Sequence, residues 1–228
     1  SGKRSQCRLE VKIALPPRMP GLARPFSPRG NWQFFRHKGK NIVQVGPPAR
    51  GGKSENLSVF NAGYSEGVLY QKYATEVFRG FLDQFLIINL LSRRDGFLLH
   101  SSGVAYHGKG ACFVGRSGAG KSTILRLFRG EVEAKCLLND DKLALRCQRG
   151  RWRVFGTPWH GEFPVASRAG ADLKAIFFIK QSKRNYLTRL PASDALRRLV
   201  SQALIPLWDE AASARVIDSF ASLLAEVP

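Results

Sequence analysis

Gly115-Arg116-Ser117-Gly118-Ala119-Gly120-Lys121-Ser122 fills every fixed position of the pattern G-x-x-x-x-G-K-[ST]. It lies between an apolar run, Ala111-Cys112-Phe113-Val114, and a helix-prone run, Thr123-Ile124-Leu125-Arg126-Leu127-Phe128. No other feature constrains the fold as much, because this pattern works only where a strand ends and a helix begins. Glycines let backbone N–H groups close around phosphate oxygens, and the helix N-terminus adds a favourable dipole. In such a loop Lys121 neutralises the β and γ phosphates and the Ser122 hydroxyl helps to hold Mg²⁺. ATP and Mg²⁺ are therefore the expected cofactors. The expected nucleotide-binding residues are Gly115, Arg116, Ser117, Gly118, Ala119, Gly120, Lys121, Ser122 and Thr123.

Further along, Cys136-Leu137-Leu138-Asn139-Asp140-Asp141 reads as an apolar strand ending in adjacent carboxylates. Strand neighbours point to opposite faces, so one carboxylate can face a metal and the other an incoming hydroxyl. Phosphoryl transfer needs that division of labour: a metal ligand, and a base or orienting group. The same residues also suit an Asx-type turn that closes a buried strand. Their position shortly after a phosphate loop favours the functional reading.

The set Leu98-Leu99-His100-Ser101-Ser102, then Gly115–Thr123, then Leu137-Leu138-Asn139-Asp140-Asp141 resembles the HPr kinase/phosphorylase catalytic domain and its shorter relatives, over residues 96–208. That family has a His-bearing strand before G-x-S-G-x-G-K-S, and a strand closing on Asp-Asp after it. Gly156-Thr157-Pro158-Trp159-His160-Gly161-Glu162 looks like the relatives' segment after the Asp-Asp hairpin. The resemblance implies a mixed-sheet α/β P-loop domain sharing the phosphoenolpyruvate carboxykinase fold, and ATP-dependent phosphorylation of a serine hydroxyl. It implies that His100 lies beside the catalytic carboxylates, that Asp140 or Asp141 is the base, and that Glu162 is a second acidic contact to metal or substrate. The expected catalytic set is thus Asp140, Asp141, His100, Lys121 and Glu162, and the expected metal set Ser122, Asp141 and Glu162. HPr kinases proper carry a longer glycine-rich signature after the Asp-Asp strand, tied to phosphorolysis, which is not found here. Residues 1–95 do not resemble the regulatory domain of those enzymes either. The expectation is an HPr-kinase-like kinase acting on a hydroxyl of a protein, a peptide or a small molecule.

Three histidines have plainer readings as well. Taken without the resemblance, His100 is a core histidine on an apolar strand. His107, before Gly108-Lys109-Gly110, reads as solvent-exposed, and His160 sits in a loop that its neighbour Trp159 could pack.

Charge narrows the partners. Lys and Arg number 36 against 17 Asp and Glu, a net charge of +19, which predicts anionic partners without specifying a fold. An acidic acceptor suits it. Residues 180–184 read as a solvated face, although the basic excess over residues 149–190 could also border the site. No zinc knuckle, RNP-like segment or helix-turn-helix pattern supports specific nucleic-acid recognition. A transport-type ATPase would need an LSGGQ-like signature and a later strand ending in Asp-Glu, and neither follows. A nucleotide-gated adaptor that transfers nothing is the non-enzymatic alternative. A homo-oligomer is compatible with the sequence but not specified by it.

No apolar run is long enough to span a bilayer, and no signal-peptide pattern is visible. Cys112 and Cys136 lie in apolar runs and read as buried free thiols. A cytoplasmic protein is expected.

Residues 1–72 are basic and rich in Pro and Gly, with strand-like pieces at Val11–Leu15 and Asn41–Val45 and turns at Gly39 and Gly51-Gly52. They read as a small β-rich subdomain or a loosely packed basic arm, the former favoured. Residues 73–228 read as the P-loop domain. A helix is expected from Thr75 to Arg94, on the apolar face of Val77, Phe78, Phe81, Leu82, Phe85 and Leu86. Strands are expected at Phe97–Tyr106, Ala111–Val114, Lys135–Leu138 and Ala175–Ile179. A hairpin joins Leu143–Cys147 to Trp152–Phe155. Helices should cover Lys121–Phe128, a short stretch after Pro191, and Asp209–Glu226.

Overall fold

Turns at Lys38-Gly39, His107-Gly108 and Arg149-Gly150 put both central residues at positive φ (47° and 71°, 47° and 74°, 54° and 70°). Two-residue loops of this kind match the right-handed twist of the strands they join, and glycine takes the second position without a Cβ clash. Each turn closes a β-hairpin. The computed structural model describes residues 7–17, 19, 25–27, 32–45, 56–71, 81–133 and 136–228. The expected Gly51-Gly52 turn, and Val77 and Phe78 of the expected helix, lie outside these residues. The chain divides into two compact units, residues 1–86 and 87–228, with the division inside a helix.

The first unit contains β1 (Arg8–Ile13), β2 (Trp32–His37), β3 (Lys40–Val45), β4 (Asn56–Asn61) and β5 (Glu66–Gln71). They form one sheet in the order β1-β5-β4-β3-β2, antiparallel except for the parallel β1–β5 pair. Phe35, Ile42 and Leu57 are buried together with Met19, Val59 and Tyr70 packed against them. Aromatic rings form a second cluster: Trp32 stacks on Phe81 at 4.4 Å, and Phe34, Phe60 and Tyr64 lie about Phe85.

The helix α1 (Phe81–Ser92) ends where Asp95 takes a left-handed φ of 52°, as the Asp95-Gly96 pair predicts. The second unit then runs β6 (Gly96–Tyr106), β7 (Lys109–Val114), α2 (Lys121–Glu131), β8 (Leu137–Asn139), β9 (Lys142–Gln148) and β10 (Arg151–Gly156). It finishes with β11 (Gly170–Phe178), α3 (Ala192–Gln202), β12 (Ala203–Leu204) and α4 (Glu210–Glu226). The sheet order is β12-β6-β7-β11-β10-β9, with β7–β11 the parallel pair. The path returns to its start, because β9 pairs with the first half of β6 while β7 pairs with the second half. Five strands therefore form a closed circuit. The fold is α/β with two mixed sheets.

A core of Phe97, Leu99, Leu143, Leu145, Trp152 and Val154 from the sheet packs with Leu199 of α3 and Val216, Phe220 and Leu223 of α4. A separate cluster, Val104, Phe113, Leu125, Leu137 and Phe163, seats α2 on the sheet. Asp209 caps α4 by accepting the Ala212 N–H at 3.1 Å and pairs with Arg93 at 2.9 Å. Cys112 and Cys136 are buried free thiols, as expected, and burial pushes the Cys112 thiol well above its ordinary range. No helix among the described residues is long and apolar enough to cross a membrane.

Candidate functional site

β7 ends at Val114, buried in the sheet, and α2 begins at Lys121, so residues 115–120 form a loop at the strand end. Gly118 and Gly120 take φ of 77° and 107°, a region side-chain-bearing residues rarely adopt. A Cβ on Gly115 would lie 2.8 Å from that of Ala119. The helix starts without a side-chain cap, and its first intrahelical bond runs from the Ile124 N–H to Gly120 O at 2.9 Å. The N–H groups of Lys121, Ser122 and Thr123 therefore face the loop rather than a helical carbonyl.

The Lys121 ammonium is tucked under this loop, donating to Gly115 O at 2.8 Å and Arg116 O at 3.1 Å. Burial lowers its pKa, while the charges of Asp141 and Asp140 oppose that shift. The Ser102 hydroxyl donates to Lys121 O at 3.2 Å, tying the first turn of α2 to β6. Arg116, Ser117, Gly118 and Thr123 are exposed, with Ala119 and Gly120 half-buried.

The two carboxylates sit between β8 and β9, which run consecutively along one edge of β6. One bond to β6 continues there, from the Ser101 N–H to Asp141 O at 3.0 Å, while the Asn139 side chain holds the turn between the two strands. Its Oδ1 accepts the N–H groups of Asp141 (2.7 Å) and Lys142 (2.8 Å), and its Nδ2 donates to Thr157 O (3.0 Å) and Trp159 O. The Asx turn and the paired carboxylates are thus the same feature, and the turn aims the two acids at different partners.

Asp140 is 3% exposed. Its oxygens accept the Gly161 N–H at 2.6 Å and the Phe163 N–H at 2.7 Å, and Oδ2 lies 3.5 Å from the Ser122 hydroxyl. Asp141 instead faces His100, whose Nδ1 is 3.0 Å from Oδ1, and Lys142, whose ammonium pairs with Oδ2. The His100 hydrogen bond, with help from Lys142 and against burial, pulls the Asp141 pKa from 3.8 to about 2. Stability from this pairing is complete above the ordinary carboxylate value and is lost as pH falls toward 2. An Asp141→Asn variant should therefore show a flatter acid limb in denaturation midpoints measured between pH 5 and pH 2. Identical limbs would mean that the pairing does not contribute to stability.

The structure thus brings Lys121, Ser122, Asp140, Asp141 and His100 together. The expected metal set held Asp141 with Ser122 and Glu162, whereas the carboxylate that approaches Ser122 is Asp140, and Asp141 faces His100 and Lys142. Glu162 is exposed and makes no hydrogen bond or ion pair among the described residues, although its neighbours Gly161 and Phe163 both hold Asp140. His160 is exposed with Nδ1 3.0 Å from Gly161 O, and His107 is exposed as expected. Asn139, Lys142, Ser102 and Gln181, which donates to Gly118 O at 2.9 Å, were not singled out from the sequence. Asn139 and Lys142 flank the Asp-Asp pair directly, which is the signal that marks them. Ser102 stands in the Leu98–Ser102 string that carries the resemblance but drew no role from it, and Gln181 is distant in sequence and carries no signal.

Among the described residues no group of three or more His, Cys, Asp or Glu side chains is placed to hold a metal. Mg²⁺ does not require one, since it binds through one or two carboxylates, hydroxyl oxygen, water and substrate phosphates. The oxygen donors of Ser122 and Asp140 suit that mode. Scanned against protein-family models the chain matches none, and no curated protein matches it.

Proposed function

We propose that the chain is an HPr-kinase-like, Mg²⁺/ATP-dependent phosphotransferase that moves the γ-phosphoryl group to a hydroxyl, with serine the acceptor type the resemblance implies. The observation that carries this reading is the approach of Ser122 to Asp140, 3.5 Å apart, beside a lysine buried under a strand-to-helix glycine loop. Loop N–H groups and Lys121 bind the triphosphate. Ser122 and Asp140 hold Mg²⁺, which when bound neutralises charge on the β and γ phosphates. Asp140 suits that task because two backbone N–H groups fix its orientation.

Asp141 is the group for the acceptor. A carboxylate held near pKa 2 is a weak base, so it orients the hydroxyl and takes its proton late, when the forming bond to phosphorus has made it acidic. His100 fixes the rotamer that this requires. Glu162, exposed beside the Asp140 anchor, is a further acidic contact for metal or acceptor.

Incubation with γ-labelled ATP, Mg²⁺ and a serine-containing peptide library tests the reading. Label transferred to peptide, and lost in Asp141→Asn, is the expected result. Tight ATP binding without transfer would favour a nucleotide-gated adaptor, and hydrolysis without acceptor labelling would favour a transport-type ATPase.

A further inference from the structure

Beyond β11 the chain does not enter the next helix at once. Residues 181–189 are exposed without a break, and residues 180–190 make no backbone–backbone hydrogen bond among the described residues. This segment is anchored to the nucleotide loop at its start: the Ile179 N–H donates to Val114 O at 2.8 Å, and Gln181 holds Gly118 O. Beneath it lies a cleft of about 940 Å³ between β11, α3 and the end of α4.

Three properties of the cleft converge. Its floor is apolar, made by Ile176, Phe178, Leu224 and Val227. The charged side chains that line it are all cationic, Lys180, Arg184, Arg189 and Arg198. Lys180, Arg184 and Arg189 have no ion-pair partner among the described residues, while Arg198 lies over the Phe178 ring at 5.8 Å. Finally, the backbone of residues 185–190 makes no hydrogen bond among the described residues, the Arg184 N–H being turned onto the Ser182 hydroxyl just before it, and Tyr186 and Leu187 are 66% and 80% exposed.

We infer that this cleft is the docking site for an acidic peptide segment of the phosphoryl acceptor. The free backbone groups of residues 185–190 bond a peptide main chain, its apolar side chains fill the floor, and its acidic ones meet the four cations. Nucleic acid would satisfy the cations but would leave the aliphatic floor and the free backbone groups unused. The attachment at Gly118 delivers a peptide lying here to the nucleotide loop. The inference rests on the kinase reading for its purpose, but the binding it describes does not require phosphoryl transfer.

The test is fluorescence anisotropy on the full chain without nucleotide. The probe is a short labelled peptide in which Glu and Leu alternate about a central Ser. Controls are its Lys-for-Glu counterpart and a labelled single-stranded oligonucleotide. The acidic peptide should bind, its Lys counterpart should not, and Arg184→Glu/Arg189→Glu should weaken binding by about tenfold or more. Both positions are exposed, so the variant should keep the wild-type melting temperature and its affinity for an ATP analogue. Equal peptide affinity in the variant, or no binding by wild-type protein that binds the ATP analogue, would overturn the inference. An oligonucleotide that binds more tightly than the peptide and is lost in the variant would replace it with a nucleic-acid face. Peptide bound in the cleft but never labelled by ATP would leave the docking site standing and remove the kinase reading.

Discussion

Replacing Lys121 by alanine is expected to weaken binding of a non-hydrolysable ATP analogue with Mg²⁺ by at least about tenfold, or about 1.4 kcal/mol. Among the described residues Lys121 is the one cationic side chain that hydrogen-bonds the 115–120 loop, through Gly115 O and Arg116 O. Only two loop carbonyls lose a donor, and water can replace it, so the fold should survive. Titration calorimetry on variant and wild type, alongside a melting curve, reads the outcome. An unchanged dissociation constant in a folded variant would mean that the loop holds some other ligand.

The second large effect is a difference in kind between two neighbours. Asp140→Asn replaces an oxygen that accepts a backbone N–H by an amide that can donate, beside Gly161 N and Phe163 N. The Mg²⁺ concentration needed for half-maximal turnover should rise by about tenfold or more. Asp141→Asn leaves those bonds alone and removes the proposed proton acceptor. It should keep nucleotide affinity and lose turnover by about 10²- to 10⁴-fold, the range for a general base. Activity assays across a Mg²⁺ series separate the two. If neither substitution changes turnover on any accepted substrate, the carboxylates are there for the turn alone.

Much of the second unit was legible in the sequence because its signals are local. The 148–151 hairpin, the strand-loop-helix at 109–131 and the helix begun by Asp209 each announce themselves within a few residues. Phe97–His100 and Gly103–Tyr106 likewise read as strand and form the single long β6. In the first unit, β1 and β3 were visible as apolar pieces. β2, β4 and β5 were not, since Trp32–His37 is interrupted by polar residues and Asn56–Asn61 and Glu66–Gln71 alternate only loosely. The presence of Asp140 and Asp141 at the site followed from composition and spacing. Their allocation did not, because it depends on Asn139 reaching residues 157 and 159 and on His100 arriving from β6. Residues 180–184 read as a solvated face for the same reason: the cleft beside them is completed by residues 198 and 224–227, distant along the chain.

The closed circuit of five strands has a consequence for how the protein acquires its site. His100 stands opposite Lys142 in the ladder that joins β9 to β6, and the parallel β7–β11 pair spans a still longer stretch of chain. Such pairings repay their loop-closure entropy only late in folding. During synthesis the glycine loop emerges before β9 exists, so the Asp141–His100 contact must wait for β9 to pair with β6. A nascent or partly unfolded chain therefore carries the glycine loop without the Asp141–His100 contact assembled beside it.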